Sequence, residues 1–81
     1  MAMPFSLEAE QSVLGAMLID SRCVASVVGV LRPEDFYLQQ NRDIFETIYS
    51  MFNFSEAIDP VTVLNKMKER GVYDEQTTSS Y

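Results

Sequence analysis

The chain has 81 residues, of which 47% are hydrophobic and 11% aromatic, and this composition predicts one small folded domain rather than a disordered segment. Twelve acidic against six basic residues give a formal net charge of −6, which repels phosphate backbones and argues against direct DNA binding. A single cysteine and no histidine exclude an internal disulfide framework and a Cys/His metal cluster.

The first predicted element is a helix that begins after Ser6, a suitable N-cap, and that carries Glu8 and Glu10 in its opening turns. At about 100° per residue its apolar side chains fall on one arc, so we expect this helix to be central. The arc contains Leu7, Val13, Leu14, Met17 and Leu18. Gly15 lies off the arc, and two interpretations stay open: close approach of another backbone, or a tolerated surface glycine.

Asp20 and Ser21 end this helix, and Ser21 is expected to cap a second one that ends near Leu31. Its apolar stripe follows the i, i+3, i+4, i+7 spacing of a buried helix face and consists of Val24, Val27, Val28 and Leu31. Valine-rich helices have poor intrinsic propensity, so this helix should form only when it is docked. Cys23 is predicted to fill the core.

A short helical turn is predicted to begin at Pro33, because proline suits the first helical position. Glu34 and Asp35 follow where a helix favours negative charge, and we expect Phe36 and Tyr37 to point inward. The two adjacent carboxylates could form a catalytic pair, but neighbouring helical residues face different directions. The sequence therefore predicts a capping role for them.

The clearest periodicity runs from residue 41 to residue 53, where a wide apolar arc predicts a long helix. The arc contains Ile44, Phe45, Ile48, Tyr49, Met51 and Phe52. Because the arc is wider than one neighbouring helix covers, two interpretations stay open: all of it is core, or part faces a second layer or another subunit. Phe54 falls outside the arc, and we take Tyr49, Phe52 and Phe54 as candidate interface residues.

A last, outer helix is predicted after the N-cap Asp59, with Pro60 at its first position. Its narrow apolar stripe consists of Val63, Leu64 and Met67. Gly71 is expected to close it, with Val72 placed for a Schellman contact. Residues 75–81 are polar and aperiodic, which is typical of a frayed or truncated tail.

These elements predict an all-α fold, a small orthogonal bundle of about four to five helices that forms one domain over residues 1–81. The sequence has no glycine-rich phosphate loop, nucleophile–base pair or metal-ligand cluster, so we expect no catalytic, cofactor or metal site in it. It also has no leader pattern and no apolar run of membrane-spanning length, which favours a cytoplasmic protein without membrane contact.

Several short sequence segments, in a fixed order, resemble the N-terminal region of DnaB-type replicative helicases. They are Leu7-Glu8-Ala9-Glu10-Gln11-Ser12-Val13-Leu14-Gly15, Pro33-Glu34-Asp35-Phe36-Tyr37 and Ile58-Asp59-Pro60-Val61-Thr62-Val63. The resemblance runs from Pro4 to about Asp74. Two departures stand out: Asn41 occupies the position where histidine is usual, and Thr78-Ser79 stands where the family often has two glycines.

The resemblance implies that the parent protein is a hexameric, ATP-driven helicase of the replication fork, with ATP and Mg²⁺ bound by an ATPase domain beyond Tyr81. This segment would then belong to an N-terminal collar that supports ring assembly and helps dock a DnaG-type primase and loader proteins. DNA would be contacted only through the parent, in a nucleoid-associated bacterial replisome.

Two alternatives stay open. The chain could be a free-standing acidic helical interaction module, such as a small regulator, whose reading frame would stop just after Tyr81. It could also be a small hydrolase that uses Cys23 or the carboxylates, which would need a cleft and a perturbed pKa.

Overall fold

The computed structural model describes residues 7–73, so the expected N-cap Ser6 and the predicted tail 75–81 lie outside it. Within that range the chain forms four α-helices and no strand: α1 Leu7–Ile19, α2 Val24–Val28, α3 Gln39–Asn53 and α4 Pro60–Arg70. Single 3₁₀ turns at Ser21–Cys23 and Pro33–Asp35 precede α2 and α3. The predicted all-α fold class is confirmed.

The hydrophobic core of the described residues is built around α3, which contacts α1, α2, α4 and the Pro33–Asp35 turn. Its buried apolar side chains are Leu14, Met17, Val24, Phe36, Ile44, Phe45, Ile48, Met51, Val63 and Met67. The helix predicted to be central, α1, contacts α3 and α4. Four of the ten buried side chains belong to α3, so α3 is the central element.

The arc predicted for α1 faces the core except at its first residue, and Val13 and Leu18 are partly buried there. Leu14 and Met17 are fully buried and Leu7 is 39% exposed. A Cβ added at Gly15 would meet nothing within 4 Å. Within residues 7–73 no backbone approaches Gly15 closely, so that hypothesis is wrong for the described part of the chain, and Gly15 is a tolerated, partly buried glycine.

The segment after α1 differs from its prediction in both its cap and its length. Asp20 caps the 3₁₀ turn that follows α1, since its Oδ1 accepts a hydrogen bond from the Arg22 backbone N–H at 3.0 Å, and Ser21 lies within that turn and does not cap α2. The Arg22 guanidinium also bonds the Asp20 carboxylate and holds the pKa of that carboxyl below its ordinary value. A 3₁₀ turn then precedes α2, which ends at Val28 and not near Leu31.

The side chains of this second segment nevertheless pack as expected. Val24 is fully buried, while Val27, Val28, Leu31 and Cys23 pack against the core from partly buried positions. The early end of α2 follows from its composition, because three valines and a serine followed by Gly29 give little helix propensity, which the single alanine does not offset. Tertiary packing decides how long this helix is.

The Pro33–Asp35 turn forms as predicted, and the Asp35 carboxylate accepts a hydrogen bond from the Arg32 backbone N–H at 2.8 Å. Phe36 is 3% exposed, with its ring centroid 5.0 Å from that of Phe45. Tyr37, however, is 65% exposed. The expectation that both aromatic side chains point inward is wrong, because the backbone is extended here and consecutive side chains face opposite sides.

A polar bridge joins α1 to the beginning of α3. The Glu10 carboxylate accepts one hydrogen bond from the Tyr37 backbone N–H at 2.8 Å and another from the Asn41 side-chain amide at 2.7 Å. Asn41 is fully buried. The position at which the resemblance expects histidine is therefore occupied by a buried amide that contacts α1.

Both ends of α4 have the predicted caps. The Asp59 carboxylate accepts hydrogen bonds from the Val61 and Thr62 backbone N–H groups, and the Thr62 hydroxyl accepts one from the Asp59 N–H. At the other end Gly71 adopts a left-handed conformation with φ of 75°. The Val72 N–H donates to the Met67 carbonyl and the Gly71 N–H to the Lys68 carbonyl, which is the Schellman pattern.

No single helix among residues 7–73 is long and apolar enough to cross a membrane. The helices Leu7–Ile19 and Ser21–Val28 reach that length and apolarity only as a pair, and they are bent by 114° at the break between them.

Candidate interaction surface

A groove of about 500 Å³ lies on the surface of α3, between the Pro33–Asp35 turn and the C-terminal end of α4. It is lined by Arg32, Pro33, Glu34, Glu46, Tyr49, Ser50, Asn53, Phe54 and Arg70. The four lining residues from α3 follow i, i+3, i+4, i+7 spacing, so they form one stripe along the helix. We call this surface the α3 groove.

The structure brings two of the three candidate interface residues together in the α3 groove. Tyr49 is partly buried, with its ring centroid 6.2 Å from that of Phe45, so the core supports one side of it. Phe54 is 74% exposed at the end of the groove. Phe52 is 38% exposed and does not line the groove.

A tight turn at the end of α3 determines where Phe54 lies. Ser55 has φ of 56°, the left-handed conformation that glycine usually supplies. The Glu56 N–H donates to the Met51 carbonyl at 2.9 Å, and the Ser55 N–H donates to the Phe52 carbonyl at 3.1 Å. This is a second Schellman pattern, and it stops α3 with the Phe54 ring exposed. This turn was not predicted, because no glycine marks the position in the sequence.

Arg70 reaches the groove from the last turn of α4 and is held there by α3. Its guanidinium donates a hydrogen bond to the Thr47 hydroxyl, which itself donates to the Asp43 carbonyl at 2.7 Å. Thr47 is fully buried although it lies outside the apolar arc of α3. No sequence signal connects residues that lie 23 positions apart, so this contact is found only in the structure.

The α3 groove carries two charges of each sign. Arg32 and Glu34 lie on the side of the turn, while Glu46 and Arg70 lie on the side of α3 and α4. Among the described residues the ion pairs within 4.0 Å join Asp20 to Arg22 and Glu56 to Lys66. None of the four groove charges therefore forms an ion pair with another described side chain, and Arg70 keeps guanidinium donors beyond the one that it gives to Thr47.

No group of three or more His, Cys, Asp or Glu side chains in the described part of the chain is placed to hold a metal ion. The Cys23 thiol donates to the Asp20 carbonyl oxygen at 3.0 Å, at the joint between α1 and α2. The α3 groove offers aromatic rings, guanidinium groups and carboxylates, and this set suits contact with another protein surface.

Comparison with known proteins gives one consistent result. The family model described as DnaB-like helicase N terminal domain matches residues 2–81. The replicative DNA helicase DnaB of Leifsonia xyli is 38% identical over 68 residues, which is 84% of this chain and 15% of the relative. The replicative DNA helicase DnaB of Geobacillus stearothermophilus is 40% identical over 60 residues, which is 74% of this chain and 13% of the relative.

A solved structure has the same fold. The crystal structure of the N-terminal domain of DnaB helicase from Mycobacterium tuberculosis superposes with a TM-score of 0.82 at 39% sequence identity. The match covers 85% of this chain and 50% of that one. The chain therefore spans half of the solved chain and less than a sixth of the two helicases.

Proposed function

The chain belongs to the family of DnaB-like helicase N-terminal domains, and from this premise we propose that it is a non-catalytic collar segment of a hexameric replicative DNA helicase. Its role is to hold protein neighbours together: other copies of the helicase, and the primase and loader that join it. The parent works in the bacterial cytoplasm, within the nucleoid-associated replisome.

The observation that carries this proposal is the α3 groove. An exposed phenylalanine, a supported tyrosine ring and four charges that form no ion pair with other described side chains lie within one concave surface of an otherwise acidic molecule. Aromatic and arginine side chains are enriched where proteins contact one another. Nucleic acid is a poor occupant, because the chain carries a formal charge of −6.

ATP and Mg²⁺, which a helicase needs, do not fit the residues present in this chain. The sequence contains no GxxxxGK[ST] loop, and its glycines are Gly15, Gly29 and Gly71, each isolated. We therefore assign nucleotide binding and strand separation to a motor domain of the parent protein. The contribution of this segment is assembly and recruitment.

A segment exchange in a related helicase tests the proposal. In the Geobacillus stearothermophilus enzyme, the 60 residues that match this chain would be replaced by the corresponding residues of this chain. Light scattering would measure hexamer formation, a primase pull-down would measure recruitment, and a labelled fork would report ATP-dependent unwinding. We expect all three to stay within a few-fold of the parent enzyme.

The control is the same helicase with those residues replaced by an unrelated acidic helical segment of equal length, which should lose assembly and recruitment. An exchange that behaves no better than this control would contradict the proposal. The alternative of a free-standing acidic regulator makes a different prediction: the reading frame would end after codon 81 without a GxxxxGK[ST] loop.

A further inference from the structure

We draw no further inference here: the strongest candidate, the exposed apolar side chains of Phe52, Phe54 and Val61 around the turn between α3 and α4, carries none because nothing in the described part of the chain shows what covers them.

Discussion

Asn41 shows how a single buried polar side chain joins two distant parts of this chain. Its amide is fully buried and donates to the Glu10 carboxylate at 2.7 Å, and the same carboxylate also accepts the Tyr37 backbone N–H. Hydrogen bonds to a charged acceptor are stronger than neutral ones, and a buried donor that loses its acceptor is costly. Glu10 therefore stabilises the approach of α1 to the start of α3.

We predict that Glu10→Ala lowers the free energy of unfolding by about 2 kcal/mol, because two hydrogen bonds to the Glu10 carboxylate, from the buried Asn41 amide and the Tyr37 N–H, are lost. Urea denaturation followed by circular dichroism would measure the change. Glu8→Ala is the matched control, since Glu8 is exposed on the same helix, and it should change stability by less than about 0.5 kcal/mol. Equal effects of the two variants would contradict the role assigned to Glu10.

The residues of this bridge mark a limit of sequence analysis. From the sequence, the position of Glu10 was explained only by the favourable interaction of its charge with the helix dipole. Its hydrogen-bond partner Asn41 lies 31 positions away and could not be predicted. Tyr37 was expected to point inward, and the extended backbone at Phe36 exposes it instead. Local patterns define what each residue can do, whereas the pairing of distant polar groups depends on how the helices pack.

The glycines of the helices provide a prediction at the scale of whole elements. Gly15 lies inside α1 with open space around its Cα, so Gly15→Ala should raise the free energy of unfolding by about 0.5–1 kcal/mol. Gly71 closes α4 with φ of 75°, so Gly71→Ala should lower it by about 1–2 kcal/mol. Denaturation of the two variants under identical conditions would measure both changes. Effects of the same sign would show that α1 or the Gly71 turn differs from this description.

The left-handed turn at the end of α3 lacks the glycine that closes α4, so introducing a glycine there should raise the free energy of unfolding. Ser55 occupies a left-handed position that glycine adopts without strain, so Ser55→Gly should stabilise the fold by about 0.5 kcal/mol after the larger entropy of the unfolded chain is counted. The midpoint of thermal unfolding would report it. Ser50→Gly, within the same helix, is the control and should destabilise by about 0.5–1 kcal/mol. A loss of stability in Ser55→Gly would argue against the second Schellman turn.

The bounds of a helix could be predicted where strong periodicity and clear caps occur, as in α4, but not for the valine-rich α2. The bounds of α4 followed from Asp59, Pro60 and Gly71, whose backbone preferences act locally. The valine-rich α2 has no such signal, and its five residues depend on contacts that only the folded chain provides. The presence of each α-helix among the described residues could thus be predicted, whereas the 3₁₀ turn at Ser21–Cys23 and the length of α2 could not, because no local chemistry determines them.

At the scale of the whole molecule, the candidate surface was only partly predictable. A surplus of aromatic residues indicated Tyr49, Phe52 and Phe54, and two of them line the α3 groove. The charged walls of the groove come from the turn, α3 and α4, so no window of sequence contains them together. The composition indicates that the chain has an interaction surface, but which residues form it depends on how the turn, α3 and α4 pack together.

The distribution of basic residues predicts that the 81-residue chain does not bind duplex DNA at physiological salt. Outside the α3 groove each basic side chain has a local partner: Arg22 pairs with Asp20, Lys66 with Glu56, Arg42 donates to the Phe36 carbonyl, and Lys68 lies over the Tyr73 ring. Within the groove Arg32 and Arg70 are balanced by Glu34 and Glu46. No group of free cations therefore remains to release counterions from DNA.

Fluorescence anisotropy of a labelled duplex should stay unchanged up to about 100 μM protein, the weak end of ordinary non-specific affinities. The Glu34→Lys, Glu46→Lys double variant is the informative comparison, because it changes the formal charge of −6 by four units to −2 and places four cations in one groove. It should bind weakly at low salt and lose that binding as salt rises, since counterion release drives it. Salt-sensitive binding by the wild type would contradict the prediction. It would show that this domain binds DNA directly and not only through the parent protein.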